Sequence, residues 1–204
     1  MKSKNNSVWG IEDKATVDLL KNTKIGGSWL NLCAGDGRFN NYLLEQASEV
    51  VAVDIDEKAL QKLAKTATNT LRKKLKPKVM DITQPLLFEN DSFDWIFCTG
   101  ALHLFPQSAF VKVVKEAERI LKPRGQIIID FATDIKRTYA DGSLWIIENE
   151  PNYKLEEALI FLKELFKDYD LYITTDKVNP EKVKLADKEY TFTCNFILLR
   201  AVKK

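Results

Sequence analysis

Two hydrophobic periods take turns along this chain. A helical spacing over residues 14 to 22, KATVDLLKN, is followed by Gly26-Gly27, which predicts a helix and its stop. Short apolar runs follow, WLNLC, EVVAV, KVMD and FDWIFC, with a fifth in GQIIIDF. Continuous apolar runs of this length predict strands buried on both faces of a parallel sheet, ending near Cys33, Asp54, Asp81 and Cys98. Between the fourth and fifth runs, Phe110, Val114, Ala117, Ile120 and Leu121 recur at helical spacing before Pro123 and Gly125. A second amphipathic helix follows residue 153 with Leu155, Leu159, Leu162 and Phe166, and DLYITTDKV and EYTFTCNFILLRAV read as a closing hairpin. The alternation predicts an α/β fold with helices on both faces of the sheet. No internal repeat or low-complexity tract divides the chain, so residues 1 to 204 read as one domain.

The first strand breaks into Gly35-Asp36-Gly37, and seventeen positions after Gly37 the second ends in Asp54. Glycines let a turn adopt backbone angles closed to other residues and let a ligand lie against the main chain. A carboxylate ending the next strand reaches the two hydroxyls of a ribose. The pair therefore predicts an adenosine-type ligand. A dinucleotide fingerprint requires a third glycine where this chain has Asn40. A diphosphate would also lie beside the negative charge of Asp36. S-adenosylmethionine meets neither objection, since it carries no phosphate and its sulfonium is positive. The loop of a P-loop nucleotide site is absent as well.

With NLCAGDGRF and VVAVDIDEKAL followed in order by KVMDITQPLLFENDSFDWIFCTGALHLF and AERILKPRGQIIIDF, the chain resembles a class I S-adenosylmethionine-dependent methyltransferase over roughly residues 28 to 132. The resemblance implies a Rossmann-like, doubly wound sheet of seven strands, mostly parallel, with an antiparallel last strand. It implies S-adenosyl-L-methionine as cofactor and S-adenosyl-L-homocysteine as product. Carried over by position, Asn31, Ala34, Gly35, Asp36 and Gly37 form the loop under the methionine end, and Asp54 is the ribose ligand. Ile55 lies against the adenine, Asp81 and the amide of Ile82 meet its amino edge, and Thr99 and Gly100 contact the methionine and sulfur. Asp94 is structural. Two departures stand out: Asn31 occupies a position that is often acidic, and Cys33 that of a glycine.

Among candidates for chemistry, His103 follows the fourth strand, where an acceptor approaches, and its ordinary pKa suits a general base. The competing reading is a helix-start residue bonded to a neighbouring loop. Cys98 lacks the preceding proline of nucleophilic fourth-strand cysteines and reads as a buried thiol. CTGALH also lacks the Asn-Pro-Pro-aromatic motif of enzymes that methylate amides or base amino groups. Residues 133 to 153 are the least family-like stretch and are expected to set specificity together with the first dozen residues. Trp9, Tyr139, Trp145 and Tyr153 either wall a pocket, with Arg137 pairing an acidic acceptor, or pack this segment onto the domain; packing is the expectation for any single one, and at least one is expected to touch substrate. The sequence names no metal ligands.

Composition narrows the partner classes. With 45% hydrophobic and 29% charged residues and a net charge of +2, the chain reads as a globular domain with no global pull toward nucleic acid or an anionic membrane. RKKLKPK, residues 72 to 78, is the most basic stretch and reads as a solvated turn leading into the amino end of a strand. Cysteines at 33, 98 and 194 are too few and too scattered for a disulfide framework, and no apolar stretch is long enough to span a membrane. The expected protein is a cytoplasmic methyltransferase acting on an O, N or S atom of a small molecule. RNA or protein acceptors, a non-catalytic cofactor-binding partner subunit, and another S-adenosyl enzyme on the same fold are the alternatives.

Overall fold

The computed structural model describes residues 13–23, 26–185 and 187–204. A seven-stranded sheet runs through it in the order β3-β2-β1-β4-β5-β7-β6. The strands are β1 (Ser28–Leu32), β2 (Glu49–Asp54), β3 (Leu75–Val79), β4 (Phe93–Cys98), β5 (Leu121–Thr138), β6 (Tyr169–Leu185) and β7 (Lys188–Lys203). The pairs β2-β3, β1-β2, β1-β4 and β4-β5 are parallel, and β7 runs antiparallel to both β5 and β6. Strand order therefore reverses between β1 and β4, as the doubly wound expectation requires.

Alternate residues of each central strand feed two cores. Trp29, Val50, Ala52, Trp95, Phe97 and Ile128 pack beneath helices α1 (Lys14–Asn22), α2 (Asn40–Gln46) and α3 (Glu57–Thr66). Leu30, Leu32, Val51, Val53, Ile96, Ile127 and Ile129 pack beneath the later helices. The short α4 (Asn69–Arg72) leads into β3, while α5 (Gln107–Ile120) and α6 (Leu155–Leu165) cover that second face. Burial on both sides explains why these strands are continuous apolar runs. Trp29 and Trp95 are register partners, and their rings stack at 4.9 Å on the first face.

Several ends are fixed by charge or by side-chain caps. Asp13 accepts from the Thr16 amide at 2.7 Å and caps α1, and Asp56 does the same for α3 through Lys58 and Ala59. Asp94 accepts from the amide and hydroxyl of Ser28 and from Lys122, tying the amino ends of β1, β4 and β5 together. The structural reading of Asp94 fits these contacts.

Three expectations change. The strand expected at KVMD is Leu75–Val79, so the basic run is largely the strand itself and not a turn before it. As an edge strand it pairs only with β2, which leaves four of its five side chains exposed and permits Pro77. Lys74 caps the end of α2 through the carbonyls of Leu44 and Ala47, and Lys76 pairs with Glu49. Next, α5 ends at Ile120, so Leu121 opens β5 instead of closing the helix. Finally, β5 does not stop near Phe131; it continues to Thr138 against β7 through an irregularity between Thr133 and Lys136.

Candidate active site

The turn after β1 is pinned from outside. The Ala34 amide donates to the Val53 carbonyl at 2.9 Å and the Gly37 amide to Ala34 at 3.0 Å. The Gly35 amide donates to Asp54 Oδ2 at 2.8 Å. The other oxygen of Asp54 accepts from Asp56, so the carboxylate is fixed at the carboxyl end of β2 beside the glycine turn. Gly35 and Gly37 have φ of 51° and 89°, the left-handed region, and a Cβ on Gly37 would press into Leu63. Cys33 has φ of 51° as well, which explains why a glycine suits that position. It packs on the same face as Cys98, both cysteines are free, and a hydrogen bond between the two thiols, together with burial, raises the Cys98 pKa.

Asp36 corrects one step of the sequence argument. Its carboxylate is buried and lies 2.6 Å from Lys62 of α3, so its charge is matched within the protein and does not face a ligand. The case against a dinucleotide thus rests on Asn40, which opens α2 fully buried where the third glycine would stand. Asn31 is also buried, near the end of β1.

Ile55 follows Asp54 and is 70% exposed, while Ile82, after β3, is buried. Asp81 Oδ1 accepts from the amide and hydroxyl of Thr83, and those bonds lower its pKa, the hydroxyl most. Thr99 and Gly100 follow β4, and the Gly100 amide donates to the buried Asp130 at 2.6 Å. Arg38, from the first turn, reaches the same carboxylate at 3.7 Å. Sequence reasoning does not single out Arg38, Asp130 or Lys62. Each acts through a partner distant along the chain, and no local spacing signals such a pair.

His103 sits in a single 3-10 turn, Leu102–Leu104, with its ring edge-on to Phe131 at 6.2 Å. Its Nδ1 is buried without a partner, and burial pushes the imidazole down to about 4. An uncharged, weakly basic ring at physiological pH counts against the general-base reading of His103.

Beyond Phe131, β5 leaves the core and the chain doubles back along it. Thr138 bridges Leu144, the Trp145 amide donates to Arg137, and Asn152 bonds both the amide and carbonyl of Ile135. Between the returning segment and β5 lies a cavity of about 250 Å³, walled by Ile135, Leu144, Trp145, Ile146 and Ile147, with Lys136, Lys154 and the Arg137-Glu150 pair among its polar groups. Arg137 holds Glu150 with both guanidinium nitrogens at 2.6 and 2.7 Å, and the two side chains are only 11% and 7% exposed. The fork expected to receive an acidic acceptor is thus already filled. Tyr139 sits at the hairpin turn outside the cavity lining. Tyr153 joins the core, its hydroxyl donating to the Phe105 carbonyl. Trp145 does line the cavity, and Trp9 lies outside the described residues.

A family model for a methyltransferase domain matches residues 30–125. Over 119 residues the chain is 28% identical to phosphoethanolamine N-methyltransferase 1 of Triticum aestivum. That match covers 58% of this chain and spans about a quarter of the relative, 24% of its length. Among solved structures, the YcgJ protein of Bacillus subtilis superimposes with a TM-score of 0.69 at 15% identity, covering 94% of this chain and 99% of its own. DhpI, solved as an SAH complex, gives 0.63 at 19% identity, covering 92% and 81%. At such identities these two structures speak for the fold. Residues 30–125 thus match a methyltransferase domain, and the whole chain shares the doubly wound, seven-stranded fold of these solved structures.

Proposed function

We propose that this chain, acting as a single domain over residues 1 to 204, binds S-adenosylmethionine and transfers its methyl group to a nucleophilic atom of a small molecule. The observation that carries the reading is the Asp54 carboxylate. It is held against the glycine turn through the Gly35 amide, at the strand ends where doubly wound sheets take their ligands. In this reading Asp54 takes the ribose hydroxyls and the exposed Ile55 lies on the adenine, with Asp81 and the Ile82 amide at its amino edge. The loop from Asn31 through Gly37, together with Thr99 and Gly100, surrounds the methionine; Asp36 contributes its main chain, since its side chain is turned toward Lys62. The SAH complex of a fold neighbour and the methyltransferase relative support the choice of cofactor.

The acceptor enters by the cavity that Trp145 lines, beyond the end of β5. An imidazole with a pKa of about 4 is a poor base, so the acceptor is nucleophilic in its own right, an amine or a thiol in preference to an alcohol. Alignment in line with the sulfonium then supplies the acceleration, with about 7 to 11 kcal/mol available from positioning alone. The relative's name, a phosphoethanolamine N-methyltransferase, favours a small amine. No described helix is long and apolar enough to cross a membrane, and three free cysteines favour the reducing cytoplasm. Calorimetric titration with S-adenosylmethionine, S-adenosylhomocysteine and NADH tests the reading. Saturable one-site binding of the first two without NADH is expected, and failure of both to bind overturns it.

A further inference from the structure

Asn31, near the end of β1, is uncharged, yet a charged couple stands at the same end of the sheet. Asn31 pairs with Phe97 and Phe97 with Ile128, and partners in a parallel ladder share a face. Asp130, two residues beyond Ile128, shares that face and lies nearer the strand ends. Its Oδ1 accepts the Gly100 amide at 2.6 Å, and Arg38 Nη2 lies 3.7 Å from its Oδ2. Arg38 belongs to the turn after β1, whereas Gly100 belongs to the loop after β4. The arginine therefore crosses the gap where strand order reverses, with its guanidinium 4.7 Å over the Phe39 ring and Nη2 3.6 Å from where a Gly100 Cβ would stand. Arg38 keeps 21% of its side chain exposed, while Asp130 keeps 4%. One can touch a ligand; the other can act only from behind.

Resting on the cofactor reading above, we propose that Arg38 binds the α-carboxylate of the cofactor's amino-acid end and that Asp130 is the positioning residue holding Arg38 and the Gly100 amide for it. A planar guanidinium matches a carboxylate through two parallel hydrogen bonds, and a partner behind it fixes the plane of that fork. With Asn31 uncharged, β1 offers the ammonium no full charge, and recognition of the zwitterion moves to its carboxylate.

The groups that act electrostatically with Asp130 are Arg38 from the turn before α2, the Gly100 amide, Asp13 from the start of α1, and the thiols of Cys98 in β4, on the other face of the sheet, and Cys194 in β7. Burial pushes the Asp130 carboxyl up to about 7, with Arg38 and the Gly100 amide pulling it down and Asp13 adding to the rise. The ionised form that holds Arg38 therefore fills in as pH rises through neutrality.

The test titrates the full chain calorimetrically with S-adenosylhomocysteine, its decarboxylated analogue and 5′-methylthioadenosine, which lacks the amino-acid end. The wild type should bind S-adenosylhomocysteine at least about tenfold more tightly than the decarboxylated analogue, the worth of a charge-assisted pair. Arg38→Ala should erase that difference and leave methylthioadenosine binding in place, which also reports an intact fold. Arg38→Lys should recover part of the loss. Asp130→Asn should abolish a rise in S-adenosylhomocysteine affinity between about pH 6 and pH 8. Equal weakening of all three ligands by Arg38→Ala, or of none, overturns the assignment while leaving the cofactor reading intact. If the wild type binds none of the three, the cofactor reading fails and takes this inference with it.

Discussion

The two halves of the sheet are built to different lengths. Strands β1 to β4 have five or six residues each, while β5, β7 and β6 have 18, 16 and 17. The short parallel strands end together beneath the glycine turn and expose amides and carboxylates at one edge. The long strands run past that edge as a three-stranded arm, and the doubled-back segment from Tyr139 to Tyr153 lies against it. Strand β5 belongs to both regimes: it is core up to Phe131 and becomes arm after the irregularity at Asp134, whose φ is 51°. A parallel strand must be covered on both faces, which limits its reach, whereas an antiparallel ribbon tolerates solvent on one face. The fold thus keeps the proposed cofactor edge compact and extends the proposed acceptor side independently.

If that division holds, damage to the arm should leave cofactor binding alone. The largest stability effect is expected for Arg137→Ala, which strands the buried Glu150 carboxylate at a cost of about 3 to 5 kcal/mol. Denaturant unfolding measures the loss, and S-adenosylhomocysteine affinity in the folded variant should be unchanged. A parallel collapse of that affinity would mean that the two halves are not separable. Asp54→Ala is the converse experiment. It removes the proposed ribose partner and the Gly35 clamp together, for an expected loss of about 2 to 3 kcal/mol of cofactor affinity, with the fold retained by circular dichroism.

His103, at the junction between the halves, gives a smaller and pH-dependent effect. Its folded-state value near 4 lies below the ordinary 6.5, so the unfolded chain takes up the proton first as pH falls. Its contribution to stability should decline from about pH 6.5 to about pH 4 and then level off. Thermal melts of His103→Phe across that window should be flatter than those of the wild type. The smallest effect is expected at the far edge, where Lys76→Ala loses an exposed ion pair with Glu49, less than about 1 kcal/mol by melting temperature.

The same division governs what the sequence discloses. Strands β1, β2 and β4 are legible because burial on both faces writes them as apolar runs, and the Asp54 and glycine positions follow from their ends. Strand β3 is obscured because an edge position exposes Lys76, Pro77 and Lys78 and removes the hydrophobic signal. The extension of β5 through Lys136 and Arg137 is hidden for a related reason: its hydrogen bonds come from β7, more than fifty residues away, while its polar side chains read as loop. Arg137-Glu150 and Arg38-Asp130 are invisible for want of any local pattern, and so the arginine expected to await an acceptor turned out to have a partner already.

Cys33 carries one more lesson. Its backbone takes the left-handed angle although a β-carbon there costs roughly 1 to 2 kcal/mol. The turn keeps that path because its neighbours impose it: the Val53 carbonyl, the Asp54 carboxylate and the stop at Leu32. The geometry is portable even where the residues are not. A designer moving this cofactor cradle into another doubly wound scaffold should copy the anchors around the loop first and treat the letters within it as adjustable, beginning with glycine at 33.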